Sequence, residues 1–243
     1  MASGVVLPSV VVDLNADIGE GFDDDSALVA LVTSVNIACG FHAGDAQTMR
    51  TVCAAAVAGG TVIGAHVSYR DREGFGRRPL AVDAETVAAE AGEQIEALQA
   101  AALTAGGRVA YLKPHGALYH RASSDEECAA AVVAAAAGAR PGPLAVLAFP
   151  GSSLLARARE AGLLAVAEGF ADRAYAADGT LLPRSEPAAT LAADDAARQA
   201  VALARGGDVR SICVHGDGAD AAARAARVRR ALLSAGVELR AFA

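Results

Sequence analysis

Residues Val10–Gly21 read VVVDLNADIGEG, an apolar run into which polar side chains are set at alternate positions. In a strand, Asp13, Asn15 and Asp17 would lie on one face and the apolar residues on the other. Two carboxylates and an amide on a buried face need a cation or a network of hydrogen-bond donors. The stretch therefore predicts a strand that carries functional side chains. The alternative is a structural role, in which the three residues hydrogen-bond to neighbouring loops.

Similar apolar runs recur along the chain and alternate with alanine-rich helices. Strands are predicted at Val10–Ile18, Val35–Cys39, Val62–His66, Val109–Lys113, Leu144–Phe149, Leu164–Ala167 and Ser211–Val214. Helices are predicted at Ala46–Ala58, Asp83–Ala105, Asp125–Ala137, Ser153–Ala161, Ala188–Arg205 and Ala219–Ala235. This alternation is typical of βαβ units with parallel strands. Val237–Phe242 could supply a last strand.

Such a series of units either opens into a doubly wound sheet or closes into a barrel, and periodicity alone does not distinguish the two. The unusual polar residues follow the strands and almost never the helices. In a barrel all those strand ends share one rim, where active sites are built. We therefore predict an α/β barrel, with residues 1–243 as a single domain.

Composition narrows the possible functions. The net charge of −7 argues against nucleic-acid binding, so a small-molecule substrate is expected. Apolar stretches such as Ala129–Ala137 are much shorter than the roughly 20 residues of a membrane span, and Met1–Val12 lacks the features of an export signal. The four scattered cysteines predict buried thiols in a reducing compartment, and hence a cytoplasmic protein.

Histidines and carboxylates follow the first three strands. Asn36, His42 and Asp45 belong to the run VNIACGFHAGD, and His66 closes the third strand. Aspartate and histidine from separate strand ends are ligand types of a divalent metal that activates water. One hypothesis is a metal bound by Asp17, His42 and His66. The other is that the same groups transfer protons without a metal.

The fourth strand ends in LKPHG, and Lys113 is the one lysine in a chain with 21 basic residues. Alternation places Lys113 and His115 on one face, with Pro114 fixing the backbone between them. A buried lysine usually has a specific role, so we predict that both residues are catalytic, with a satisfied core pair as the alternative. Since Pro114 follows this lysine, the chain contains no phosphate-binding loop of the GxxxxGK[ST] type.

Arginines suited to carboxylate or phosphate oxygens cluster around the run GFGRR. The alternative for them is a solvated basic turn. His120 is predicted to lie at the surface, because the other four histidines sit at strand ends. The residues predicted to bind substrate are Asn15, Asn36, Arg70, Arg77, Arg78, Glu168, Arg173 and His215.

Six ordered motifs resemble those of the LamB/YcsF family. They are LNADIGEG, VNIACGFHAGD, IGAHVSYRDREGFGRR, LKPHGALY, EGFADRAY and ICVHGD. The resemblance implies an irregular seven-stranded, TIM-like barrel similar to polysaccharide deacetylases and related glycosidases. It also implies an ATP-dependent 5-oxoprolinase that opens the lactam of 5-oxoproline to give glutamate, with partner subunits B and C.

On this resemblance, subunits B and C would handle ATP and deliver an O-phosphorylated or otherwise activated lactam. Asp17 or His42 would then activate water, Lys113 and His115 would stabilise the oxyanion, and an arginine would bind the substrate carboxylate. Two alternatives remain at this point. One is a stand-alone metal-dependent deacetylase or amidohydrolase, and the other is a non-catalytic subunit that presents the substrate.

Overall fold

The computed structural model describes residues 10–22, 25–218 and 220–243. The predicted helix start at Ala219, and most of the segment Met1–Val12 considered as an export signal, lie outside these residues. The strands are β1 (Val11–Ile18), β2 (Ser34–Ala38), β3 (Val62–Val67), β4 (Val109–Pro114), β5 (Ala145–Ala148), β6 (Ala165–Phe170), β7 (Ser211–Val214) and β8 (Glu238–Leu239). The helices are α1 (Asp25–Val29), α2 (Ala46–Gly59), α3 (Ala84–Thr104), α4 (Gly116–Ser124), α5 (Glu126–Gly138), α6 (Ser153–Glu160), α7 (Ala193–Gly206) and α8 (Ala221–Ser234).

Strands β1–β7 form a closed parallel barrel. Each strand pairs with the next along the chain, and β1 closes the ring by pairing with both β2 and β7. Opposite β2, Asp17 is in register with Asn36, and opposite β7, Asn15 is in register with Cys213. The predicted barrel is confirmed. The short strand β8 pairs only with Val11 and Val12, below the closed ring.

Three elements differ from the sequence predictions. Strand β6 continues to Phe170, so Glu168 belongs to the strand and faces other strand residues rather than a loop. Helix α4 follows His115 directly and was not predicted, because the short run Gly116–Ser124 has no clear apolar period. Helix α7 begins at Ala193, later than predicted, since residues 171–192 form an irregular segment above the barrel.

The helices surround the barrel, and the main apolar core lies between helices and sheet. Leu14 and Ala16 of β1 are completely buried in this core, and they alternate with the polar residues Asp13, Asn15 and Asp17.

Asp45 begins α2 by accepting a hydrogen bond from Thr48 N, so this exposed carboxylate is a helix cap. No described helix is both long and apolar enough to span a bilayer.

A smaller apolar cluster fills the lower part of the barrel, near the amino ends of the strands. It contains Tyr111, Leu147 and Val166, and Phe242 packs on the Tyr111 ring with centroids 5.0 Å apart. Gly64 faces this ring, and a Cβ atom there would lie 2.2 Å from a Tyr111 ring carbon. The barrel is therefore plugged at this end, and its open end is the carboxyl-end rim.

Candidate active site

Just above the apolar plug lies a layer of polar side chains that we call the lower network. It consists of Asp13, Asn15, Ser34, Asn36, Tyr111 and Ser211. Asn36 donates to Asn15 Oδ1 at 2.7 Å and accepts from the Tyr111 hydroxyl at 2.7 Å. Asn15 donates to Ser211 Oγ at 2.7 Å, and the Ser211 hydroxyl donates to Asp13. The predicted substrate-binding residues Asn15 and Asn36 thus lie inside a hydrogen-bonded layer, below the cavity described next.

Above this network, Lys113 lies among acidic partners. Its Nζ is 3.0 Å from Asp17 Oδ1 and 3.1 Å from Glu168 Oε2, and it also donates to Cys213 Sγ at 3.1 Å. Burial lowers the pKa of Lys113, but the neighbouring carboxylates outweigh this and hold it well above its usual value. Burial likewise raises the pKa of Asp17, and the Lys113 ammonium outweighs this and holds it well below its usual value. Both groups are therefore charged at neutral pH.

Glu20, His42, His66 and His115 form a second buried group, which we call the imidazole cluster. One ligand atom from each lies within 4.8 Å of the others. Glu20 Oε1 is 3.2 Å from His42 Nε2, 3.4 Å from His115 Nδ1 and 3.8 Å from His66 Nε2. His66 and His115 approach even more closely, with Nε2 and Nδ1 3.0 Å apart.

The hydrogen bonds on the outer side of the cluster fix the tautomers of its histidines. His66 Nδ1 lies 3.1 Å from the Lys113 carbonyl, and His115 Nε2 lies 2.9 Å from the Phe75 carbonyl. A carbonyl only accepts, so each outer nitrogen must carry the proton and each inner nitrogen of a neutral ring presents a lone pair. Ser68 donates to the Tyr69 carbonyl and so accepts from His42 Nδ1, which turns the His42 lone pair inward as well.

The inner lone pairs of the neutral rings therefore point at one another and at a carboxylate. Burial, together with His66, lowers the pKa values of His42 and His115 well below the usual value. Both rings therefore favour the neutral form, and a proton placed between two ring nitrogens is disfavoured. Burial and Asp17 raise the pKa of Glu20. Three imidazole nitrogens and a carboxylate oxygen, with the outer ring nitrogens bonded to protein oxygens, suit a divalent metal such as zinc. The cluster can hold such an ion.

The metal set predicted from sequence, Asp17, His42 and His66, only partly coincides with this cluster. Asp17 Oδ2 lies 3.5 Å from His66 Nε2, but Glu20 is the carboxylate nearest His42. Glu20 was not among the predicted site residues, although it lies directly after β1. Its signal was its position between Gly19 and Gly21, whose φ angles of 75° and 89° turn the chain back over the barrel.

A cavity of about 440 Å³ opens at the carboxyl-end rim above these groups. Of the predicted site residues, it brings together Asp17, His66, Arg77, Lys113, His115, Arg173 and His215. It also includes Tyr119, Phe170 and residues Leu181–Arg184 of the segment between β6 and α7. His42 and Glu168 do not line it, because they lie buried behind His115 and Lys113. His120 is exposed at its edge.

Two predicted substrate-binding arginines point away from the cavity. Arg70 pairs with Glu93 at 3.0 Å and with Glu90 at 3.4 Å on the surface of α3. Arg78 pairs with Asp71 and leaves more than half of its side chain exposed. The structure therefore gives neither residue a contact with the cavity, and only Arg77 of the GFGRR run reaches it.

His215 is held by a carboxylate from the next strand end. Its Nδ1 lies 2.9 Å from Asp172 Oδ1, and its backbone N–H donates to the other oxygen at 3.0 Å. Its ring stacks on Phe170 with centroids 5.4 Å apart. Burial raises the pKa of Asp172, but His215 and Arg224 outweigh this and lower it overall. A charged aspartate thus orients the imidazole and leaves Nε2 directed into the cavity.

Comparison with known proteins finds relatives over nearly the whole length of the chain. The LamB/YcsF family model matches residues 12–243. The A-subunit of a 5-oxoprolinase from Streptomyces griseus subsp. griseus is 56% identical over an alignment of 253 positions that covers 96% of this chain and 100% of the relative. The crystal structure of a lactam utilization protein from Thermus thermophilus superposes with a TM-score of 0.87 at 39% identity, covering 96% of this chain and 100% of that one.

More distant structures share the fold alone. The catalytic domain of a peptidoglycan N-acetylglucosamine deacetylase from Eubacterium rectale superposes with a TM-score of 0.56 at 10% identity, covering 98% of this chain and 91% of that one. This likeness confirms the predicted relation to deacetylase barrels. Because the family model matches nearly the whole length, with motifs that surround the cavity, the chain belongs to the LamB/YcsF family.

Proposed function

We propose that this chain is the hydrolytic subunit of a cytoplasmic, ATP-dependent 5-oxoprolinase that works with partner subunits B and C. Its relatives are named as the A-subunit of 5-oxoprolinase and as a lactam utilization protein, and these names support a lactam as the substrate. The buried free cysteines Cys39, Cys53, Cys128 and Cys213 are typical of a reducing compartment. The reaction would open the five-membered ring of 5-oxoproline and yield glutamate.

The observation that supports this proposal most strongly is the position of Lys113. Its ammonium lines a cavity of suitable size for a small cyclic amide and is held by two buried carboxylates. Such a preorganised positive charge in a water-poor site stabilises negative charge that develops on a carbonyl oxygen. A purely structural lysine would not need to face a cavity.

In the proposed mechanism, water adds to the carbonyl carbon and the ring C–N bond then breaks. Asp17, a charged carboxylate on the cavity wall, accepts a hydrogen bond from the attacking water and orients it. Lys113 stabilises the carbonyl oxygen as it gains negative charge. His115, predicted to share this role, has its one N–H bonded to the Phe75 carbonyl when the ring is neutral, so this proposal places it in the imidazole cluster instead. His215, oriented by Asp172 through Nδ1, takes up at Nε2 the proton that the attacking water loses and delivers it to the ring nitrogen as the C–N bond breaks.

The imidazole cluster would supply the electrophile if it holds a divalent metal. Glu20, His42, His66 and His115 would be the ligands, and such an ion polarises a carbonyl group and makes water more acidic. His42 does not line the cavity, so within this proposal it acts as a ligand and not as the base that activates water.

ATP would be used by the partner subunits. Opening a resonance-stabilised lactam is poorly driven in water, so coupling to ATP hydrolysis makes chemical sense. The chain has no GxxxxGK[ST] motif, since its one lysine precedes Pro114. Assigning ATP to subunits B and C leaves the hydrolysis of the activated lactam to this barrel.

Reconstitution tests the proposal. The purified chain is mixed with subunits B and C, and ATP consumption and glutamate formation are measured with each component omitted in turn. We expect glutamate only when all three are present, and ATP consumption that persists without this chain. Glutamate formation by B and C alone would contradict the proposal. Hydrolysis of amides or acetylated sugars by the chain alone would favour the deacetylase alternative.

A further inference from the structure

The ammonium group of Lys113 already has a partner inside the protein for each of its three N–H donors. Nζ lies 3.0 Å from Asp17 Oδ1, 3.1 Å from Glu168 Oε2 and 3.1 Å from Cys213 Sγ. Sulfur is a weak acceptor, so the N–H that faces Cys213 is the one most easily turned to the carbonyl oxygen of a substrate. The charge of Lys113 then has to serve a third anionic oxygen in addition to the two carboxylates.

The two carboxylates differ in how far they depend on Lys113. Asp17 Oδ1 also accepts a hydrogen bond from Asn36 Nδ2 at 2.7 Å. Glu168 is completely buried, and among the described residues Lys113 is the one cation within ion-pair distance of it. No described residue gives either Glu168 oxygen a hydrogen bond of regular geometry. A buried carboxylate whose partner is drawn away is costly, so Glu168 needs a second donor.

Tyr119 carries a donor beside Glu168. It lies in the first turn of α4, which follows β4 directly, and it is only 4% exposed. Its hydroxyl is buried and likewise makes no hydrogen bond of regular geometry with a described residue. Burial raises the pKa of Tyr119 well above its usual value, and Glu168 raises it further as a charge and as an acceptor. The phenol therefore keeps its proton and can donate it to the carboxylate.

The surroundings of the Tyr119 ring do not otherwise call for a hydroxyl. The ring packs on Phe149 and Phe170, with centroids 5.0 Å and 5.8 Å apart. Phenylalanine would fill this apolar space without the cost of a buried hydroxyl. The other phenol near Glu168 is Tyr175, whose oxygen already accepts from the Phe170 N–H at 2.7 Å. The hydroxyl of Tyr119 is thus the group best placed to serve Glu168.

We infer that Tyr119 is a positioning residue of the proposed reaction: its hydroxyl donates to Glu168 and stabilises that carboxylate while Lys113 turns toward the lactam oxygen. This inference rests on the proposed function and adds a residue to it. Without the hydroxyl, Glu168 would hold Lys113 more tightly and oppose its approach to the developing oxyanion. The loss would fall on the transition state and not on the binding of the lactam.

Steady-state kinetics with subunits B and C in excess, so that this chain limits the rate, tests the role in turnover. Tyr119→Phe should lower kcat for glutamate formation about tenfold and change KM for 5-oxoproline by less than about threefold. In a Glu168→Gln background the same substitution should lower kcat by less than about twofold, because the amide no longer needs the donor. Tyr69→Phe is the matched control and should change neither constant, since its buried hydroxyl bonds to Arg121.

Nuclear magnetic resonance spectroscopy of the purified chain tests the contact itself, without partner subunits or turnover. Because Lys113 is the one lysine of the chain, lysine labelled with ¹³C at Cε gives a single side-chain signal. Tyr119→Phe should shift this signal, whereas Tyr69→Phe should leave it in place. In the Glu168→Gln background, Tyr119→Phe should cause no further shift.

An unchanged Lys113 signal in Tyr119→Phe, or a kcat within about twofold of wild type, would overturn the inference and leave the proposed function standing. Equal losses of kcat in the wild-type and Glu168→Gln backgrounds would also overturn it, because Tyr119 would then act independently of Glu168. If the wild type forms no glutamate, the proposed function fails, and the resonance of Lys113 alone decides whether Tyr119 acts on it. Thermal melting of each variant shows whether the fold is kept.

Discussion

Two polar regions share the inside of one barrel, yet their hydrogen bonding differs. In the lower network, hydroxyl, amide and carboxylate groups meet as donors and acceptors at about 2.7 Å. In the imidazole cluster above it, the inner atoms are all acceptors when the rings are neutral and Glu20 is ionised, and two of them lie 3.0 Å apart. In the lower network the polar groups satisfy one another, whereas in the imidazole cluster the donors within the protein run out, which marks the cluster as a candidate ligand site.

Strand β1 shows the contrast within a single strand. Burial raises the pKa of Asp13, and three hydroxyl groups from Ser211, Thr33 and Ser34 only partly offset it. Four residues later, Lys113 holds the pKa of Asp17 well below its usual value. The first aspartate ties strands together through neutral donors, and the second is a fixed negative charge at the base of the cavity.

The largest expected effect is the loss of turnover in Lys113→Met. Reconstituted with subunits B and C, this variant should form glutamate about a thousandfold more slowly, because the developing oxyanion loses its charged donor. The matched control is Tyr111→Phe, two residues earlier on the same face of β4 and part of the lower network. Its turnover should stay within about threefold of wild type. Comparable losses in the two variants would erase the functional distinction between the regions.

A second prediction concerns the free energy of unfolding. A substitution in the lower network should lower it, and a substitution in the imidazole cluster should leave it unchanged or raise it. Ser211→Ala removes a donor to Asp13 and an acceptor for Asn15, so it should cost about 1–3 kcal/mol in the free energy of unfolding. Glu20→Gln, measured in metal-free buffer, should cost nothing or stabilise, because Glu20 is a buried acid whose pKa is raised by burial and by Asp17. Urea denaturation of both variants measures the difference. A clear loss of stability in Glu20→Gln would show that the cluster is complete without a ligand.

The smallest effect is expected outside both regions. Arg78→Ala breaks an ion pair with Asp71 whose arginine is mostly exposed, so the free energy of unfolding, measured by urea denaturation, should change little. Turnover in the reconstituted enzyme should remain within about twofold, since the side chain does not line the cavity. A turnover loss near that of Lys113→Met would place the GFGRR run in the active site after all.

The sequence predicts the residues at strand ends well, because a closed barrel brings all of those ends to one rim. Asp17, His66, Lys113, His115 and His215 follow this rule, and all line the cavity. The same rule could not separate Asn15 and Asn36 from Asp17. All three alternate on inward faces, and only the depth within the barrel decides which meets the cavity.

The cavity residues Leu181–Arg184, in the middle of the irregular segment between β6 and α7, were not predicted. Arg184 reaches the cavity from this segment, where no periodicity predicts the path of the chain. The two adjacent arginines of the GFGRR run also could not be told apart from the sequence. Arg77 turns toward Asp217 and Arg78 toward Asp71, a choice set by partners 140 and 7 residues away rather than by local pattern.

Elemental analysis of the chain tests the central claim most directly. We expect the wild type, expressed with supplementary zinc and dialysed, to retain about one divalent ion per chain. Ser211→Ala, in the lower network, should retain the same amount, and His66→Gln should retain almost none. A wild-type chain that retains no more metal than His66→Gln, and still gives full glutamate formation with subunits B and C when magnesium is the one divalent ion supplied, would contradict the account.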